Sequence, residues 1–231
     1  MPLHNWQLRP YLKERELKFY EIDLLDMIDN EKPGFDGRLL DIASASGNFL
    51  CALRDRFPSS HLFGLELNDE LIAIAETRLK NKHTEIIKAD AQTYRPPATF
   101  DVATASGILQ CFQDPLSILK TWIEWISPSG LLVIYGKFNS KEVDTRILFK
   151  SHDNPHGWEE GFTSYSIRTI SEFLSGLDID FEFKRFHLPI DLPESEDPVR
   201  NYTVKLKTGE TLLINGANLI CEPYFLIIRK H

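Results

Sequence analysis

Residues 39–50 read LLDIASASGNFL. Leu39, Leu40 and Ile42 make a short apolar run, small residues follow, and Phe49, Leu50, Leu53 and Phe57 recur at helical spacing until Pro58. Strand, small-residue loop and helix form the unit in which backbone N–H groups at a helix start face a ligand. Such a loop often carries three glycines; here Gly47 remains, with Ala43 and Ala45 in the other two places. A pyrophosphate packs against glycine backbone at two points, so two interposed methyl groups count against a dinucleotide. Gly47 stands where close packing or a positive φ most needs it.

The grammar on either side is consistent with this unit. Residues 14–30 put Leu17, Tyr20, Leu24 and Ile28 on one helical face, and Pro33, Gly34 and Gly37 break it. HLFGLEL is a second strand, followed by a helix capped at Asn68 or Asp69 and carrying Leu71, Ile74, Ala75 and Leu79. TEIIKAD and TFDVATAS are the third and fourth strands. Asp114-Pro115 starts a helix with a stripe of Leu116, Leu119, Ile123 and Ile126 that stops at SPSG, before the strand LLVIYG. Alternating strands and helices imply an α/β fold, a doubly wound, Rossmann-like, mostly parallel sheet covered on both faces.

After Gly136 the pattern changes. Residues 137–164 read as a long polar loop around SHDNPHGWEEG. YSIRTISEFLSG is a helix, DIDFEFKRFHL a strand, YTVKLKTGETLLING a hairpin turning at Lys207–Glu210, and PYFLIIRK a last strand. The expected organisation is one domain: an N-terminal helical lid (1–34), a core (35–138), and a substrate-side loop, helix and terminal strands with the inserted hairpin (139–231).

With 34 acidic against 26 basic residues and a net charge of −8, the chain is poorly suited to binding through phosphate contacts. Cys51, Cys111 and Cys221 are odd in number and form no CxxC pair, so they read as small buried filler in a reducing cytoplasm. No signal peptide or bilayer-spanning stretch is evident, so no membrane association is expected.

Acidic residues recur at the strand ends. Glu66 lies 19 positions beyond Gly47, placed to accept from ribose hydroxyls. Asp90 ends the third strand, suited to an adenine amino group, with the Ala91 N–H beside it. Ser106 and Gly107 end the fourth. In this order and spacing, LLDIASASGNFL, GLEL, KADA and FDVATASGILQCFQDPLSIL…WISPSGLLVIYG resemble the class I S-adenosylmethionine-dependent methyltransferases over about residues 35–138. FEF and YFLIIRK are similar to that fold's closing antiparallel pair, giving seven strands with the last antiparallel. The resemblance implies S-adenosyl-L-methionine as cofactor, held at Asp41, Ala43, Ser44, Ala45, Gly47, Glu66, Leu67, Asp90, Ala91 and Ser106. It implies that Asp41 orders the loop and the cofactor tail, and that Ser106 borders the methyl group. Ala43 and Ala45 depart from the family's more usual glycines.

Methyl transfer chiefly requires alignment of the acceptor and exclusion of water. A base matters where the acceptor keeps its proton, and His156 is the leading candidate. A surface histidine making a local turn beside Pro155 is its alternative. His152, Asp153, Trp158, Glu159 and Gln110 are further acceptor-side candidates, the last equally suited to a cap near Asp114. Trp6, Tyr11 and Tyr20 could form a lid over the acceptor. A tight proline turn rarely aims three ligands inward, so HDNPH is not read as a metal site. ASGI stands where methylases of amide and base nitrogens often carry D/N-P-P-Y/F, so a small molecule or saccharide, methylated on oxygen, is expected rather than nucleic acid. A non-catalytic binding protein on the same fold and, ranked last, a nicotinamide dehydrogenase are the alternatives.

Overall fold

A computed structural model describes residues 11–12, 15–80, 83–150, 157–194, 200–216 and 219–231, with Phe149 in its backbone only. Its elements are α1 (Phe19–Glu31), β1 (Arg38–Ile42), α2 (Asn48–Arg56), β2 (His61–Glu66), α3 (Asp69–Arg78), β3 (Thr84–Lys88), β4 (Phe100–Ser106) and α4 (Pro115–Glu124). There follow β5 (Ile126–Lys137), β6 (Thr145–Phe149), β7 (Glu159–Ser164), α5 (Ile167–Leu174), β8 (Ile179–Arg185), β9 (Asn201–Lys205), β10 (Thr211–Asn215) and β11 (Pro223–Lys230).

Seven strands form one sheet in the order β3-β2-β1-β4-β5-β11-β8. The first five run parallel, and β11 is antiparallel to β5 and β8. Strand order reverses between β1 and β4, and the crevice at such a reversal, outside the carboxyl ends of the strands, is where open α/β sheets bind ligands. The apolar runs of the sequence exist because alternate side chains enter different cores. Leu39, Val102, Leu131 and Val133 pack with Leu24 and Ile28 of α1, Leu50 and Leu53 of α2 and Ala75 of α3. Leu40, Ala103, Leu132 and Ile134 pack on the other face with Leu119 and Trp122 of α4 and Ile170 and Leu174 of α5. Trp122 is fully buried, and its indole N–H donates to the Ala91 carbonyl at 3.0 Å, tying α4 to the turn after β3. Cutting it to alanine costs about 3–5 kcal/mol.

Several expectations are corrected. The helix carrying Tyr20, Leu24 and Ile28 begins at Phe19 rather than at residue 14, because Lys18 is extended and the Glu21 carboxylate turns back to accept its N–H at 2.8 Å. The α4 stripe is displaced: Ile118, Leu119, Trp122 and Ile123 are buried, Leu116 is only half-buried, and Ile126 opens β5. SPSG lies within β5, where a register shift opposite Phe100–Val102 and a positive φ at Ser129 absorb the turn residues. The region 137–164 holds an antiparallel ribbon, β6 with β7, rather than an unstructured loop. A ribbon satisfies its backbone through pairing and keeps one face wet, so polar side chains do not exclude it. Cys221 is buried, but Cys51 is only half-buried and Cys111 is exposed. The hairpin turn at 207–210 is as expected, closed by the Leu206 N–H to the Glu210 carbonyl at 2.8 Å. Among the described residues no helix is long and apolar enough to cross a membrane.

Candidate active site

The loop after β1 takes a glycine-like path without the glycines. Ala43, Ala45 and Gly47 have φ of 58°, 49° and 76°. Left-handed backbone costs a residue with a Cβ about 1–2 kcal/mol, so two alanines are held there by their surroundings. The Ser44 N–H donates to the Leu65 carbonyl at 3.0 Å, and the Ala45 N–H to Glu66 Oε2 at 2.9 Å. Arg78 of α3 reaches back to donate to the Ser46 carbonyl at 2.8 Å. Gly47 is required twice over: besides its φ, a Cβ there would stand 3.1 Å from Leu79 Cδ1 and 3.2 Å from Ala75 Cβ. Gly64, paired with Asp41 in the sheet register, clears room for the loop, since a Cβ there would meet Ser44 Oγ at 2.7 Å.

Glu66 ends β2 and gathers three backbone donors: Ala45 N–H on one oxygen, Leu67 N–H at 2.8 Å and Asn68 N–H at 2.9 Å on the other. A carboxylate offers about four acceptor positions, so capacity remains for a ligand. The same residue fastens the loop and starts α3, whose cap is the Asn68 side chain accepting from Glu70 and Leu71 N–H. Leu67 is 51% exposed, leaving its side chain available as an apolar cover.

Asp41 is buried at the end of β1 and accepts from Thr104 Oγ1 at 2.8 Å. Its carboxyl is pushed up to about 7, chiefly by desolvation, with Glu21 and Glu66 raising it further and the Thr104 bond opposing. A buried carboxyl whose ionisation is opposed in this way is stabilised in its charged form by a nearby cation. Asp90 lies past β3, where the Ala89 N–H donates to the Glu66 carbonyl at 3.0 Å. Its Oδ1 accepts from the Gln92 N–H at 2.8 Å, shaping the turn that contains Ala91. At the end of β4, Ser106 Oγ is buried without a hydrogen-bond partner, and so is Ser44 Oγ in the loop. Orphaned buried hydroxyls are uncommon and point to an absent partner.

The structure therefore brings Asp41, Ala43, Ser44, Ala45, Gly47, Glu66, Leu67, Asp90, Ala91 and Ser106 to the carboxyl ends of four neighbouring strands. Gln110 lies in a 3₁₀ turn, Leu109–Cys111, and Thr163 of the ribbon clasps that turn by donating toward the Gln110 and Phe112 carbonyls. Gln110 Oε1 accepts from the Lys137 N–H at 3.4 Å, facing the end of β5; Asp114 caps α4 itself. Trp158, 71% exposed, directly precedes β7, and Glu159 is the first residue of that strand. His152, Asp153, His156 and Trp6 lie outside the described residues. Tyr20 stacks on Tyr135 with ring centroids 3.9 Å apart. Burial raises the phenol of Tyr11, with Cys111 and Glu66 adding and Arg200 and Arg15 opposing, so Tyr11 lies in the neighbourhood of Glu66 and Cys111.

Arg78, Thr104, Glu21 and Gly64 escaped the sequence reading. Arg78 and Thr104 bond to partners distant in sequence, Glu21 bonds locally to Arg15 and Lys18 but acts on Asp41 across the fold, and Gly64, inside an apolar run, carries a local signal of close approach.

Comparison with known proteins bears on the fold and the family. A family model described as a methyltransferase domain matches residues 40–134. A trans-aconitate 2-methyltransferase of Agrobacterium fabrum is 27% identical over 166 residues, covering 71% of this chain and 62% of that one. A second, from Rhizobium meliloti, is 25% identical, covering 72% and 63%. The chain thus spans less than two thirds of these relatives' length. Among solved structures, an S-adenosylmethionine-bound amino pentose methyltransferase of calicheamicin biosynthesis from Micromonospora echinaspora superimposes with a TM-score of 0.59 at 15% identity, covering 100% of this chain and 98% of that one.

Proposed function

We propose that this chain, a member of the class I S-adenosylmethionine-dependent methyltransferases, methylates an oxygen of a small-molecule acceptor, and that the acceptor is a carboxylic acid. The observation that carries methyl transfer is the set at the strand ends: Asp41, Glu66, Asp90 and the orphaned Ser44 and Ser106 hydroxyls around a left-handed loop. The carboxylic acid is drawn from the relatives named trans-aconitate 2-methyltransferase.

The residues fit the cofactor. Glu66, with acceptor capacity left, would hold the ribose hydroxyls, Asp90 and the Ala91 N–H would serve the adenine, Asp41 would serve the cationic amino group of the tail, and Ser44 and Ser106 would offer their partnerless hydroxyls. When bound, S-adenosylmethionine supplies a methyl group on a positively charged sulfur, which an acceptor oxygen takes by in-line displacement. A carboxylate acceptor is already deprotonated at neutral pH, so no side chain has to remove a proton. That relieves His156 of a necessary role as base. The protein's work is then to align the acceptor and exclude water, to which Tyr11, in the neighbourhood of Glu66, and the clasped 3₁₀ turn can contribute.

The test is an acceptor screen, beginning with trans-aconitate, scored by S-adenosylhomocysteine and by a methyl ester in the product. Ester formation on an acid is the expected result. Cofactor turnover confined to alcohols, amines or sugars would reject the carboxylic acid, and an absence of turnover with every acceptor class would reject methyl transfer.

A further inference from the structure

One arginine at the end of α3 holds two segments that lie far apart along the chain. The Arg78 guanidinium donates to the Ser46 carbonyl at 2.8 Å and to the Ser46 hydroxyl, and its second amine donates to the Leu12 carbonyl at 3.4 Å. All three acceptors are uncharged, so here the guanidinium fork fastens chain to chain rather than forming an ion pair.

The Ser46 carbonyl belongs to the peptide that enters Gly47, whose φ is 76°. The N–H of that same peptide donates to the Ser44 carbonyl at 3.0 Å. The peptide is therefore fixed on both sides, and the left-handed path of the cofactor loop is fixed with it. Leu12 belongs to the segment ahead of α1. That segment is fastened a second time where Arg15 engages the buried Glu21 carboxylate with both amines, one of them at 2.7 Å. Arg15 thus ties it to α1, whereas Arg78 ties it to α3 and, through one guanidinium, to the loop. A guanidinium is planar and rigid, so moving the Ser46 carbonyl re-aims the amine that holds Leu12. A ligand that stabilises the path of the loop then also stabilises the docked segment, and by linkage the docked segment tightens the ligand by the same factor.

We propose that Arg78 is a positioning residue that couples the cofactor loop to the N-terminal segment: an occupied loop sets the guanidinium, and the guanidinium docks the segment at Leu12. In this role Arg78 acts through Ser46 and Leu12 and touches neither cofactor nor acceptor. The inference rests on the cofactor site described above, and goes beyond it by naming the residue through which an occupied site is closed.

The experiment is hydrogen exchange read by mass spectrometry on the whole chain, with and without saturating S-adenosylhomocysteine. In the wild type the ligand should slow exchange in peptides over residues 43–48 and, by about ten-fold, in the peptide covering Leu12. Arg78→Met keeps an apolar stem and removes the fork. When saturated, this variant should still protect the loop, while the peptide covering Leu12 exchanges as in the free protein. Calorimetry should show it binding S-adenosylhomocysteine about ten-fold more weakly. Arg78→Lys, whose compact ammonium cannot reproduce the fork, should recover part of that affinity without recovering protection at Leu12. It carries the test if Arg78→Met does not fold. A wild-type Leu12 peptide indifferent to the ligand, or full protection of Leu12 in either saturated variant, would overturn the coupling while leaving cofactor binding intact. Failure of the wild type to bind S-adenosylhomocysteine at all would remove the cofactor site and this inference with it.

Discussion

Replacing Asp41 with asparagine should make the protein more stable and a poorer cofactor binder, with a pH dependence that identifies the cause. The Asp41 carboxyl is displaced from 3.8 to about 7, first by desolvation and then by Glu21 and Glu66. A folded-state pKa above the unfolded value means that the folded protein binds the proton more tightly. The stabilisation is fully present below about 3.8 and is lost as the pH rises through about 7. At pH 8 the buried charge costs the fold about 4 kcal/mol at 1.36 kcal/mol per pKa unit, and at pH 5 about 1.5 kcal/mol. Asparagine has nearly the same shape, and its amide oxygen can accept the Thr104 hydroxyl that Asp41 Oδ1 now accepts. Urea denaturation should show Asp41→Asn more stable than wild type by about 2–4 kcal/mol at pH 8, and by about 1–2 kcal/mol at pH 5. A gain of equal size at both pH values, or a loss at both, would refute buried charge as the cause.

Three other substitutions probe the loop. Glu66→Ala removes the acceptor of the Ala45, Leu67 and Asn68 N–H groups and should weaken S-adenosylmethionine binding by about 1–3 kcal/mol while lowering the melting temperature; calorimetry and thermal melts read the two separately. Gly47→Ala forces a Cβ onto left-handed backbone against Leu79 and Ala75 and should cost about 2–4 kcal/mol of stability in urea titrations. Ala45→Gly, by contrast, relieves left-handed strain but frees the unfolded chain, so a net gain below about 1 kcal/mol is expected with cofactor affinity unchanged. A clear destabilisation would mean that the Ala45 methyl makes contacts worth more than its strain.

Much of this arrangement was legible along the chain, for a physical reason. Parallel strands buried on both faces are written as near-continuous apolar runs, and polar residues at their ends stand out: Asp41, Glu66, Asp90 and Ser106 could be placed by counting. The loop was legible as a ligand loop, but its strain was not. That Ala43 and Ala45 keep the left-handed path depends on Glu66, Leu65 and Arg78 holding it, and those bonds span up to 32 positions. The β6–β7 ribbon was hidden because a two-stranded element with one wet face has little apolar alternation to detect.

The central claim is that the edge formed by β1, β2, β3 and β4 holds S-adenosylmethionine. Titrating the full chain with S-adenosylmethionine by calorimetry tests it most directly. The account predicts saturable one-to-one binding that weakens in Asp41→Asn and Glu66→Ala; no heat from the wild type at millimolar ligand would contradict it.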